Sequence, residues 1–140
     1  MNPYVTEARR WIGTPYLHQA DTRSAGTDCL GLVRGVWRHV LGAEPETVPP
    51  YTADWSEPSG DEVLWRAARR WLVPQADLIP RTGDVLLFRM RANSVAKHLG
   101  IFSGEARFIH AYTGHGVIES PLSTPWASRL VARFAFPERI

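Results

Sequence analysis

Apolar positions recur with a helical period in the first half of the chain, and the period changes to short β-rich segments in the second. "PYVTEARRWIG" (3–13) predicts a first helix, with Pro3 suited to its first position and Gly13 to its stop. "DCLGLVRGVWRHVLG" (28–42) predicts a second. There Leu32, Val36, His39 and Val40 fall on one face, Val33 and Trp37 lie beside it, Thr27 or Asp28 can cap, and Gly42 can end it. "DEVLWRAARRWL" (61–72) predicts a third helix with an acidic first turn. After it, "DVLLFRM", "HLGIFSG", "ARFIHAY", "GVIESPL" and "LVARFAF" are short and β-rich, most of them set off by turn residues. Helices first and an antiparallel sheet afterwards predict an α+β fold. The 140 residues predict one domain, 1–140, with no internal repeat.

Two connections stand out. Residues 14–27 are rich in turn and polar residues, and 43–60, "AEPETVPPYTADWSEPSG", are rich in proline and acid. The second is long enough to suggest a lid or a docking surface. Gly31 and Gly35 lie inside the second helix, where glycine costs roughly 1 kcal/mol against alanine. They predict a close neighbour on that surface.

Composition adds exclusions. Apolar content of 44% and charged content of 21% are ordinary for a globular protein. The net charge is +2, carried almost wholly by scattered arginines, and no nucleic-acid motif accompanies it. No apolar stretch approaches the roughly 18 residues of a membrane span. Neither nucleic acid nor membrane is therefore an expected partner. The single cysteine cannot form an internal disulfide, and "MNPYVTEARRWIG" lacks the apolar core of a secretory signal. The expectation is synthesis in the cytoplasm, with export only if something else carries the protein out.

That cysteine is the first chemical candidate. Cys29 falls in the first turn of the second helix, where unpaired N–H groups and the helix dipole favour an anion. A cysteine so placed is expected to be an accessible thiol of lowered pKa when a cationic partner helps. It then needs a base. Of the five histidines, His39 lies late in a helix, His115 lies in a turn, and His18 lies in the loop before the cysteine. His98 and His110 both fall in strands. If Ser103, Gly104 and Glu105 form a three-residue hairpin loop, Phe102 faces Ala106 and His98 lies directly opposite His110 on the same face. A two-residue loop puts the rings on opposite faces. One cysteine and two histidines amount to three zinc ligands, but no C-x-x-C or H-x-x-x-H spacing supports a metal, and no cofactor is expected. No G-x-S-x-G elbow supports a serine hydrolase.

The order of these residues resembles the NlpC/P60 cysteine peptidases. "GTPY" (13–16) is similar to the family's segment before the nucleophile, and "TDCLGLV" (27–33) resembles its D-C-S-G-L-V motif. "TGDVLLF" (82–88), "KHLGIFSG" (97–104) and "FIHA" (108–111) resemble its later strands, in the family's order. Leu30 stands where the family usually has serine, and the segment 43–80 is longer than the usual link. In these features the chain resembles the tail-associated cell-wall peptidases of phages and gene transfer agents.

The resemblance implies a papain-like fold, with N-terminal helices packed on an antiparallel sheet. It implies Cys29 as nucleophile, His98 as general base and then acid, and His110 as the residue that orients His98. It implies an oxyanion held by the Cys29 N–H and the Tyr16 phenol, and Asp28 as either a binder of a stem-peptide amine or a helix cap. The implied substrate is a peptidoglycan stem peptide, often cut between D-γ-glutamyl and a diamino acid. The implied partners are tail hub or tail-tip proteins, with Tyr51, Trp55, Trp65 and Trp71 in the segment that docks or closes. A structural tail component with little activity, and a thiol-dependent amidase or acyltransferase, stay open as alternatives.

Overall fold

The computed structural model describes residues 2–52, 55 and 59–137. Helix α1 (Pro3–Arg10) starts where Asn2 Oδ1 accepts the N–H groups of Tyr4 and Val5. A small hairpin of β1 (Asp21–Thr22) and β2 (Gly26–Thr27) occupies the stretch that reads as plain loop in the sequence. Helix α2 (Cys29–Val40) follows, capped by Asp28. Its glycines have the predicted neighbours. A Cβ on Gly35 would stand 2.1 Å from the Trp11 ring, and one on Gly31 would stand 2.0 Å from the Ala20 carbonyl. The glycines therefore let α1 and the loop before β1 approach the α2 backbone.

Helix α3 (Val63–Trp71) begins two residues later than its acidic start suggests. Glu62 does not serve its first turn. It accepts the Ala96 N–H at 2.8 Å and pairs with Arg89 at 3.0 Å, which ties the helix to the sheet. Strands β3 (Val73–Pro74), β4 (Val85–Arg89), β5 (Ala96–Gly104), β6 (Arg107–Tyr112), β7 (Gly116–Pro121) and β8 (Leu130–Ala135) form one sheet in the order β3-β8-β4-β5-β6-β7. Every neighbouring pair is antiparallel. A short helix α4 (Thr124–Ala127) links β7 to β8.

The sheet is covered on both faces, so its strands read as apolar runs rather than strict alternation. Val85, Leu87, Leu99, Ile101 and Ile109 pack with Leu32, Val33 and Val36 of α2. Leu86, Phe88, Phe102, Phe108 and Leu130 form a second cluster on the opposite face, with Trp126 of α4 against it. His98 and His110 have the strand parity of this second face.

The β5–β6 hairpin differs from the expected one. Its loop has two residues, Glu105 and Ala106, with φ of 53° and 55°, and Gly104 faces Arg107. A bulge then intervenes, and Phe102 faces Phe108 rather than Ala106. The bulged residue, Ser103, donates to Glu119 Oε2 on β7 at 2.6 Å, and Glu119 in turn holds Arg9 of α1 at 2.5 Å. The loop alone would have put His98 and His110 on opposite faces. One extra residue at the bulge reverses that parity. The two histidines share a face, but as diagonal neighbours and not as a directly opposed pair.

Candidate active site

Cys29 is the first residue of α2, and local chemistry puts it there. Asp28 has an extended backbone, and its Oδ1 accepts the Gly31 N–H at 2.8 Å, which starts the helix at the next residue. The thiol then lies against β5 at the level of His98. Sγ is 3.7 Å from the Lys97 carbonyl, and the Leu99 N–H also faces it. Among the described residues the β5–β6 ladder runs from Gly104↔Arg107 to Ile101↔Ile109, short of the histidines.

The histidines are linked. His98 Nε2 is 2.8 Å from His110 Nδ1, and His110 Nε2 is 2.8 Å from Ser120 Oγ. Trp126 covers both rings, with centroids at 5.5 Å from His98 and 5.0 Å from His110. Tyr112 adds a further ring beside each. Burial under these aromatics, and then the neighbouring His110, push His98 down to about 3. Burial and then His115 push His110 down to about 4. Both rings are therefore neutral at pH 7, each with a single N–H.

The thiol is not the accessible, acidified group that its helix-start position suggests. Cys29 is 7% exposed. Burial first, then the Asp28 charge, push it up to about 12, against the pull of the Leu99, Leu30 and Cys29 backbone N–H groups. A helix start lowers a thiol pKa when a cation helps, and here the charged side chain that acts on the thiol is the Asp28 carboxylate.

Tyr16 and Asp28 flank the cysteine. Tyr16 is half-buried and bridges to Thr27. Burial and the nearby Cys29 raise its phenol, while the Thr113 side chain pairs with it and lowers it. Asp28 is 3% exposed. Besides capping α2, it accepts the Gln19 N–H at 2.8 Å and the Tyr51 hydroxyl on Oδ2, and His18 Nδ1 lies 3.8 Å away. The helix-cap reading is thus the one realised in this structure, with both oxygens occupied. Leu30 packs against the helix-side core.

Tyr51 and Trp55 do not stand free in the 43–60 segment. Their rings stack at 4.3 Å, and Trp55 is 8% exposed. Trp55 belongs to the helix-side core cluster, and Tyr51 packs against it half-buried. Residues 53, 54 and 56–58 of that segment lie outside the described residues. Among the described residues no three His, Cys, Asp or Glu side chains converge as a metal cage. None of their helices is long and apolar enough to cross a membrane.

The NlpC/P60 family pattern matches residues 13–134. The chain belongs to the NlpC/P60 family. It is 34% identical over 129 residues to the gamma-DL-glutamyl hydrolase of Bacillus subtilis (strain 168), covering 91% of this chain and 27% of that protein. It is also 34% identical over 120 residues to the murein DD-endopeptidase MepS/murein LD-carboxypeptidase of Escherichia coli (strain K12), covering 85% of this chain and 54% of that one. The chain thus spans about half or less of these relatives. Among solved structures, the NlpC/p60 domain of the peptidoglycan hydrolase SagA superposes with a TM-score of 0.68 at 22% identity, over 97% of this chain and 100% of that one. That likeness carries the α+β fold of this NlpC/P60 domain.

The sequence singles out His98 and His110 but not Ser120, which contacts His110. It sits in "GVIES", the strand after His110, and the β6–β7 pairing of Phe108 with Ser120 brings it diagonally beside His110. The missed signal was its separation of ten residues from His110, the spacing of a tight hairpin.

Proposed function

We propose that this chain is a cysteine peptidase that hydrolyses amide bonds of peptidoglycan stem peptides, at the D-γ-glutamyl–diamino acid bond. The observation that carries this reading is the placement of the Cys29 thiol against the backbone on either side of His98, whose far nitrogen is held by His110. The names of the two relatives above, a glutamyl hydrolase and a murein endopeptidase, support the substrate class.

His98 Nε2 is engaged with His110, which leaves Nδ1 to take the thiol proton. In the resting state thiol and imidazole are both neutral, so the proton moves as sulfur attacks. The sulfur–carbon bond forms, the carbonyl oxygen becomes an oxyanion, and the Cys29 N–H and Tyr16 phenol donate to it. His98 returns the proton to the departing amine, the C–N bond breaks, and water then cleaves the thioester by the reverse proton path.

The setting we propose is a phage or gene transfer agent tail, with the enzyme carried to the wall by tail hub or tip proteins. It rests on the resemblance of "GTPYLHQA", "DCLGLVRGVW" and the long 43–80 segment. A second reading, a tail component with little activity, is favoured by the buried thiol and by the Tyr51 hydroxyl on Asp28.

Digestion of purified sacculi, with product masses read by chromatography and mass spectrometry, tests these together. New amino termini on the diamino acid, absent with Cys29→Ala, support the peptidase. No product from the wild type supports the structural reading, and acyl transfer to an added amine supports a transferase.

A further inference from the structure

We infer that Ser120 is a positioning residue, which fixes the tautomer of His110 and through it the proton-accepting face of His98. The inference rests on the reading of His98 as general base.

Three side chains on three adjacent strands make a polar line across one face of the sheet. His98 on β5, His110 on β6 and Ser120 on β7 are joined by contacts of 2.8 Å and 2.8 Å. Each contact runs diagonally across its strand pair. His110 directly faces Ile118, and the His98 contact spans a ladder in which Phe102 faces Phe108. His110 is fully buried, so its two nitrogens must find partners within the protein.

The rings are neutral, so the protons can be counted. For His98 Nδ1 to accept from the thiol, its proton must sit on Nε2 and be donated to His110 Nδ1. His110 then has its own proton on Nε2, and that N–H needs an acceptor. Ser120 Oγ, 2.8 Å away, accepts it when the hydroxyl proton is turned away from the ring. Without it, a buried N–H is left unpaired, which favours the other tautomer of His110. That tautomer places an N–H toward His98 Nε2 and turns His98 into an Nδ1–H ring, which cannot take a proton from the thiol. A hydroxyl suits the post because it accepts without adding charge beside two neutral imidazoles. Trp126 lies against both Phe108 and the His110 ring, on the face that carries this line.

The test compares wild type, Ser120→Ala, Ser120→Thr and His98→Ala, with long-range nitrogen–proton NMR of the histidine rings and turnover of a soluble stem peptide. Ser120→Ala is expected to move His110 toward the Nδ1–H form and to lower kcat by about tenfold, the size of one hydrogen bond's bias, with KM unchanged. Ser120→Thr, which keeps the hydroxyl, is expected to restore both signals. If Ser120→Ala keeps the Nε2–H tautomer and wild-type kcat while His98→Ala is inactive, the inference is overturned and the base reading stands. If His98→Ala retains wild-type turnover, the base reading falls, and the ring spectra alone decide whether Ser120 sets the tautomer.

Discussion

The Tyr51 hydroxyl donates to Asp28 Oδ2, so a residue of the proline-rich segment is bonded to the cap of the helix that presents Cys29. The same carboxylate holds the Gly31 and Gln19 N–H groups. Asp28→Ala removes the cap and leaves buried donors unpaired. It is expected to cost about 1–3 kcal/mol of stability, read by urea unfolding. Asp28→Asn keeps an oxygen for the cap and should lose much less. Equal losses in the two would show that the charge, not the cap, holds this corner.

Asp28 also raises the Cys29 thiol. Iodoacetamide alkylation of the wild type is expected to keep accelerating beyond pH 9, with no plateau near the roughly 8.5 of a free thiol. Asp28→Asn removes the repulsion between carboxylate and thiolate, so its profile should shift to lower pH. A wild-type midpoint below 8 would mean that a cation reaches the thiol in solution.

His98 and His110 should differ in mutation. His98→Ala removes the proton acceptor and is expected to abolish turnover. His110→Asn or Gln retains a group that can accept from His98 Nε2, and some turnover should survive. Complete loss in both would contradict the separate roles.

The buried neutral histidines also set an acid limit on stability. Their folded values, about 3 and about 4, lie below the 6.5 of a free imidazole. Below pH 6.5 the unfolded chain takes up protons that the folded chain refuses. The stabilisation is therefore full above pH 6.5 and is lost progressively as pH falls through 4. The melting temperature should drop across that window in the wild type. In the double variant His98→Ala/His110→Asn the drop should be shallower, and an unchanged slope would place the titration elsewhere.

Gly35→Ala puts a methyl group 2.1 Å from Trp11 Cζ2. Helix propensity favours alanine by about 1 kcal/mol, but overpacking of this kind costs typically 1–3 kcal/mol. A net loss of stability in denaturant is expected, and a stabilised variant would show that Trp11 can give way.

What the sequence determined was what short-range physics determines. Periodicity placed α1, α2 and the five main strands. Asp28 next to Cys29 set the helix start, because capping involves residues only three apart. Gly31 and Gly35 announced close packing because nothing else justifies their cost. The order of Cys29, His98 and His110 in recognisable surroundings was enough to name the family. The tertiary structure decided what depends on distant partners. The face shared by His98 and His110 rests on a bulge at Ser103, held by Glu119 from another strand and Arg9 from the first helix. Without that partner, the loop alone predicts the opposite parity. The burial of Cys29, the occupation of Asp28 by Tyr51, and the seat of Ser120 beside His110 also depend on contacts between segments far apart or in separate strands. The thiol pKa followed the same rule. The helix start argued for a low value from local dipoles, and desolvation by the assembled core, with the Asp28 charge, outweighed it.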